Sequence, residues 1–327
     1  MENSNAELVD RVVEVFRGLV TLPSAVDSGA LVNPADAFFA YRLLLGRSPD
    51  TATELPALVD SRQTYHQFMT QLLASPEYRH RSGFFPADRF LMAELDGFRF
   101  WFNTSDREMG VIMALGMYEP DSVNLVRRIV QPGMHCLDIG AQTGFFTCLL
   151  ATCVGPAGKV HAFEPMPASY QLLERNIHEN VFTDRVITHP LAASNAKAEI
   201  SASKLSNMYV AGDVQGAESI CMKTIRIDDV ISERIDFIKI DIEGHEPAAI
   251  EGMQSLIREH KPIILTEANE YWLRTCSHSS ANEYVGLLVS LGYDVFSVKE
   301  FPKALVPGSL TLEMLDCLDL VAFPVRR

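Results

Sequence analysis

The spacing of apolar residues changes character along the chain. From Leu8 to Leu22 they fall at 8, 9, 12, 13, 15, 16, 19 and 20, the spacing of a helix with a wide apolar face. Pro34 opens a second helix, Ala35–Leu45, and Gly46 ends it. A third is expected over Ser61–Ala74, and Ser75-Pro76-Glu77-Tyr78 caps a short last one. No strand pattern interrupts, so residues 1–85 read as a small all-helical domain. Phe98–Phe102 alternates and is aromatic, which predicts a strand, followed by helices over Asp106–Leu115 and Asp121–Val130. Beyond that, short apolar runs at 134–139, 159–163, 186–192, 235–241, 262–267, 293–298 and 319–324 read as strands. Helical segments near 145–154, 167–180, 247–259 and 280–291 separate them. Such alternation with short loops makes residues 86–327 an α/β domain: a mostly parallel seven-stranded sheet covered by helices on both faces. Residues 197–227 hold two extra strand-like runs, Ala198–Ser201 and Ser219–Ile227, which read as an inserted hairpin.

In an open α/β sheet, ligands bind beyond the carboxyl ends of the strands. The first such end is Asp138-Ile139-Gly140-Ala141-Gln142-Thr143-Gly144, an acid and two glycines between an apolar strand and a helix. Gly140 and Gly144 lack a Cβ that would keep a ligand from the backbone. A dinucleotide turn wants G-x-G-x-x-G with a pyrophosphate on the helix N-terminus. Here the spacing is G-x-x-x-G, and Asp138 would repel a pyrophosphate but attract an ammonium group. S-adenosylmethionine (SAM) has an amino group, a sulfonium and no phosphate, so the acid favours SAM over NAD. Glu164 ends the next strand, where its carboxylate can accept both ribose hydroxyls, and Met166 follows as an apolar surface for adenine. An NAD-dependent oxidoreductase, which places an acid similarly, is the alternative on Glu164 alone.

The second informative end is Phe237–Glu246. Lys239, Asp241 and Glu243 interrupt an otherwise apolar strand at every second position. A buried lysine needs an acid, and Asp241 and Asp138 are the candidates. Gly244 permits a sharp exit, which leaves His245 and Glu246 at the mouth of the next helix.

With these residues the chain resembles the FkbM-type SAM-dependent methyltransferases over about residues 98–325. The resemblance is carried by Tyr118-Glu119-Pro120, Pro132-Gly133, Asp138–Gly144, Phe163-Glu164-Pro165, Leu191-Ala192-Ala193, Asp228-Asp229, Phe237–Glu246 and Gly252. Gln142 stands where that family has Asn. The resemblance implies a class I Rossmann-like methyltransferase fold and methyl transfer to hydroxyl oxygens of sugars, glycans or macrolides. It adds Tyr118, Glu119, Ala141, Gln142, Phe145, Pro165 and Ala192 to Asp138, Gly140, Gly144, Glu164 and Met166 as cofactor residues. The segments Ala40–Asp50 and Leu72–Tyr78 resemble a helical module of bacterial surface and glycan-modifying proteins, which implies docking or oligomerisation.

A hydroxyl acceptor needs a base, because an alcohol is a poor nucleophile until its proton leaves. His245 starts with the most suitable pKa, and Asp241 and Glu243 stand ready as base or as orienter of His245. Asp241, Glu243 and Glu246 should raise the His245 pKa unless burial opposes them. A Mg²⁺ ion held by Asp241, Glu267 and Asn269 is a second route to activation. Trp101, Phe102, Tyr271 and Trp272 could stack on a sugar, although aromatics at such spacings more often belong to the core. A non-catalytic SAM-fold adaptor, recruited through the helical domain, is the reading from another class.

Composition narrows this only a little. A net charge of −14 argues against a nucleic-acid partner. Six scattered cysteines without C-x-x-C read as reduced thiols, and no signal pattern or membrane span stands out, so a cytoplasmic location is expected.

Overall fold

The computed structural model describes residues 97–103, 118–205, 208–211, 218–299 and 318–325, residues 90–95, 109–114 and 62–75, and scattered positions between 31 and 116 and at 305. The expected helices Leu8–Leu22 and Ala35–Leu45, the segment after Ser75, and the boundary at residue 85 lie wholly or largely outside the described residues.

In chain order the elements are α1 (Tyr65–Ala74), β1 (Phe90–Leu95), β2 (Phe98–Asn103), α2 (Gly110–Ala114), α3 (Pro120–Ile129), β3 (His135–Ile139), α4 (Phe145–Val154), β4 (Lys159–Phe163), α5 (Pro167–Glu179) and β5 (Val186–His189). Then come β6 (Ala192–Ala193), β7 (Ala198–Leu205), β8 (Met208–Ala211), β9 (Glu218–Ile225), β10 (Phe237–Ile240), α6 (Glu246–Glu251), α7 (Gln254–His260), β11 (Ile263–Ala268), α8 (Glu270–Cys276), α9 (Ala281–Ser290), β12 (Tyr293–Ser297) and β13 (Leu318–Pro324). The chain divides into two compact units, one of residues 1–96 with 101–117 and one of residues 97–100 with 118–327. In the first, α1 starts at a reciprocal cap: the Thr64 hydroxyl accepts from Gln67 N–H and the Gln67 side chain accepts from Thr64 N–H. The β1–β2 pair, which the sequence pattern anticipated only as β2, turns at Gly97 (φ +95°).

The second unit is built on a seven-stranded sheet of order β12-β13-β11-β10-β3-β4-β5. The neighbours from β11 to β5 run parallel, and β13 lies antiparallel to both β11 and β12. All seven strands coincide with the apolar runs of the sequence. β10 is buried along its whole length, and Leu137 and Ile139 of β3 and Ile238 and Ile240 of β10 join one core with Ile250, Ile257, Tyr284 and Leu288 of the covering helices. The chain steps outward from β3 to β4 to β5, then returns to the other side of β3 as β10. That reversal puts the switch point, and hence the ligand-binding crevice, at the carboxyl ends of β3 and β10.

Three local expectations change. The run 186–192 stops at His189, because Pro190 has no N–H to continue the ladder, and Ala192-Ala193 enters a second sheet. That sheet, β6-β9-β7-β8, replaces the expected hairpin: β7 and β9 pair as anticipated, with Ser201 opposite Cys221, and β6 and β8 flank them. The helix expected over 247–259 splits at Gly252-Met253. An ideal Cβ on Gly252 would lie 1.9 Å from the Ser194 carbonyl oxygen, and the Asp228 carboxylate accepts Ser255 and Leu256 N–H at 3.1 and 3.0 Å, restarting the helix as α7. Helix α8, which the spacing did not predict, follows β11 directly, with the Asn269 side chain as its cap.

Candidate active site

Three turns at the crevice contain a non-glycine residue in the left-handed region: Glu119 (φ 41°) before α3, Gln142 (φ 49°) after β3 and Glu243 (φ 54°) after β10. Such conformations are strained and often occur at functional sites, although Arg62, Val181, Lys261 and His278 adopt them elsewhere.

After β3, Gly140 (φ +84°) and Gly144 (φ +92°) bracket the turn. An ideal Cβ on Gly140 would lie 1.9 Å from the Asp241 carbonyl oxygen, and one on Gly144 would lie 2.7 Å from Leu173 Cδ1. The glycines are thus required by the neighbouring β10 exit and by α5, a role beyond the expected approach to a ligand. Gly140 and Ala141 N–H both donate to the Phe163 carbonyl, which stitches the turn to the end of β4. Glu164 completes the seam: Oε2 accepts Gln142 N–H and Oε1 accepts Met166 N–H, each at 2.8 Å. Burial pushes the Glu164 carboxyl up to about 7, against those two N–H donors. Pro165 lies between these anchored residues, while Ala192 sits in β6 opposite Thr224.

Asp138 is fully buried. Its Oδ2 accepts the Thr147 hydroxyl at 2.5 Å, and its Oδ1 has no hydrogen-bond partner. Burial raises its pKa, against the pull of Lys239. Lys239 lies opposite Asp138 in the ladder, but its ammonium goes to Asp241 Oδ2, 3.0 Å away. Burial alone would lower the Lys239 pKa; Asp241, Glu119 and Asp138 together hold it well above the ordinary value. The ammonium also stands 4.7 Å over the Phe146 ring. Phe145, Phe146 and Tyr118 form one edge-to-face cluster with Phe98 and Phe100, with neighbouring centroids 5.5–6.4 Å apart. Phe145 is therefore a core residue of α4 as well as a neighbour of the turn. Burial raises the pKa of Glu119, against Lys239 and with the help of Asp241 and Asp319, and burial likewise raises that of Tyr118.

The β10 exit is shaped by Glu246, which is 1% exposed. Its Oε1 accepts both Ile242 and Gly244 N–H, at 3.0 and 3.2 Å. Gly244 (φ +89°) presses on α8, where an ideal Cβ would lie 2.3 Å from the Trp272 carbonyl. Burial, with Asp241 and Glu246 adding to it, pushes Glu243 up to about 8. His245 does not have an acid as its hydrogen-bond partner. Its Nε2 is 3.0 Å from Ser194 Oγ, its Nδ1 is buried without a partner, and burial lowers its pKa. Neither Asp241 nor Glu243 is hydrogen-bonded to His245, and burial opposes the rise in its pKa that those acids would cause. Ser194 carried no signal in the sequence, since it meets His245 only through the crossing from β6. For the Mg²⁺ route, Asn269 Oδ1 is engaged as the α8 cap, and no group of three or more His, Cys, Asp or Glu side chains suited to a metal forms among the described residues.

The stretch from Asp138 to Val295 matches the family model described as the methyltransferase FkbM domain. Residues 138–295 carry an FkbM methyltransferase domain. The family is SAM-dependent, which settles the cofactor in favour of SAM. The FkbM domain fits it: Asp138 Oδ1 is a buried carboxylate oxygen lacking a partner, and each Glu164 oxygen keeps a lone pair for a ribose hydroxyl. Among curated proteins the chain is similar to a protein-L-isoaspartate O-methyltransferase of Triticum aestivum, 38% identical over 58 residues, 16% of this chain and 25% of that one. It is also similar to the hexuronic acid methyltransferase AglP of Haloferax volcanii, 24% identical over 151 residues, 45% of this chain and 61% of that one. The chain therefore spans less than two thirds of either relative. Solved structures include the methyltransferase FkbM of Methylobacillus flagellatus, with a TM-score of 0.43 and 18% identity over 87% of this chain and 58% of that one. A SAM-dependent O-methyltransferase of Thermotoga maritima gives 0.40 and 15%, over 75% and 96%. Among the described residues no helix is long and apolar enough to cross a membrane.

Proposed function

We infer that the protein transfers a methyl group from SAM to a hydroxyl of a sugar or glycan. The observation that carries this is His245 at the β10 exit, half-buried, its pKa lowered by burial, in the same turn as Asp241 and Glu243. The similarity to a hexuronic acid methyltransferase supports a sugar as acceptor. Asp138 and the Gly140–Gly144 turn would receive the amino-acid end of the cofactor, Glu164 its ribose and Met166 its adenine. SAM supplies a methyl group on a sulfonium leaving group.

A neutral imidazole has one bare ring nitrogen; with Nε2 turned to Ser194, removal of a hydroxyl proton would fall to Nδ1, which is buried and would have to be met by the acceptor. Ser194 fixes the ring through Nε2, and Glu246 holds the turn on which it stands. Glu243, mostly protonated at pH 7, would donate a hydrogen bond to the acceptor rather than serve as the base. Lys239 holds the Asp241 carboxylate in place through its ammonium.

The test is S-adenosylhomocysteine (SAH) formation from SAM with a panel of uronides, nucleotide sugars and oligosaccharides, with mass spectrometry of the products. His245→Ala should lower turnover by about 10²–10⁴-fold while SAH affinity stays unchanged. Turnover within a few-fold of the parent removes His245 as base. SAH binding without turnover on any acceptor favours the adaptor reading.

A further inference from the structure

The aromatic residues that the sequence offers to a sugar are separated by burial. Phe102 is 1% exposed, and Trp101 and Trp272 are half-buried. Tyr271 is 67% exposed. Among the described residues of the unit that carries the FkbM domain, it is the one exposed aromatic side chain.

Its position is fixed from several sides. Tyr271 lies in the first turn of α8, which begins where β11 ends, at the ligand-binding edge of the sheet. The Asn269 cap holds Trp272 N–H at 3.3 Å. Glu270 ties α8 down with both oxygens, one accepting from Arg274 Nε and the other from Ala281 N–H, each at 2.6 Å. Gly244, between Glu243 and His245, packs on the backbone of Trp272, and the Ser277 hydroxyl donates to the Gly244 carbonyl at 2.5 Å. The residue next to Tyr271 thus touches the turn that carries the proposed base. Trp272 stands edge-on to the Tyr271 ring, with centroids 4.7 Å apart at 76°. An exposed ring held this firmly has little freedom to lose on binding. Its π face is negative, and the C–H face of a pyranose is apolar with weakly positive hydrogens, so the two surfaces are complementary.

We propose that Tyr271 is the platform of the acceptor subsite, on which a pyranose ring stacks while one of its hydroxyls reaches the β10 turn. The inference rests on the sugar-acceptor reading above and names the residue that would bind the sugar. Trp272, one of the chain's two tryptophans, touches the Tyr271 ring, so its fluorescence responds to a sugar stacked there.

The test uses the full chain with SAH bound and two probes, methyl β-D-glucopyranoside and methyl β-D-glucopyranosiduronate, in saturation-transfer NMR alongside tryptophan fluorescence. Ring protons of at least one probe should receive saturation and the fluorescence should change. Tyr271→Ala should cut both signals at least fivefold, Tyr271→Phe should restore them, and SAH affinity should be equal in all three proteins. If a probe binds the parent and binds Tyr271→Ala equally well, the platform is overturned while the sugar reading stands. If neither probe binds a parent that does bind SAH, both fall.

Discussion

Lys239 and His161 lie two strands apart in one sheet, 4% and 6% exposed, and each is tied to an acid. Their surroundings differ in how the polar atoms of the buried groups are used. Both nitrogens of His161 are engaged, Nδ1 with His189 Nε2 at 3.0 Å and Nε2 with Glu233 Oε1. Glu233 also accepts from Lys159 at 2.7 Å and has His135 Nδ1 3.3 Å away, while His189 stacks on Phe163 at 4.2 Å. Both His161 nitrogens are thus used, while His135 Nδ1, near Glu233, is buried without a hydrogen bond. Around Lys239 one ammonium faces Asp241, Asp138 and Glu119, and Asp138 keeps a buried oxygen without a partner. A buried acidic group with an unmet acceptor oxygen is incomplete until a donor arrives, and the ammonium of SAM is one. The two groups, alike in composition, therefore differ at their buried members: both His161 nitrogens are engaged, while Asp138 keeps an oxygen over for a ligand.

The largest effect expected from breaking this comparison is at its centre. Lys239→Met leaves buried acids with no counter-charge, and urea denaturation should register a loss of about 3–5 kcal/mol, as for removal of one partner of a buried pair. A change under about 1 kcal/mol would mean that the acids are already protonated and the network is neutral. Next, Asp138→Asn should leave the melting temperature near or above that of the parent, because it removes a buried acid. Calorimetry should nonetheless show SAH binding weakened about 10–100-fold, the usual worth of a hydrogen bond to a charged group. Equal SAH affinity would contradict the open-site reading.

The smallest and sharpest effect is in pH. Glu164 has a folded pKa of about 7, above its ordinary 4.5, so the folded state holds a proton that the unfolded state releases. Its contribution to stability is full below 4.5 and is lost as pH rises through 7. In the His161 cluster, burial lowers His161 in spite of Glu233, and the partners of Glu233 outweigh burial to lower its carboxyl. Those contributions are lost in the other direction: for His161 as pH falls below 6.5, for Glu233 as pH falls below 4.5. Melting curves should show Glu164→Gln flattening the near-neutral decline and Glu233→Gln altering only the acid limb. The same limb changed by both would erase the distinction.

Much of this was legible in the residues. Buried parallel strands must be apolar almost throughout, so seven apolar runs gave seven strands, and the polar residues that break the pattern at strand ends marked Asp138, Glu164, Lys239 and Asp241. The second sheet was only half legible, because β6 and β8 are too short to show a period of two. Helix α8 has seven residues, and its signals, the Asn269 cap and the Glu270–Arg274 pair, are ordinary in loops. The His245 partner left no trace, since Ser194 is 51 positions away and no local pattern records such a contact.

The sequence by itself determined the order of elements, the glycine-bearing turns and the set of ionisable residues brought to the crevice, because burial periodicity and positive φ are local demands on residue type. Only the tertiary structure decided which acid takes the Lys239 ammonium, which oxygen of Asp138 is left over, and that burial rather than neighbouring acids sets His245. Those outcomes depend on distances of about 3 Å between strands far apart in the chain, and on the desolvation that packing imposes.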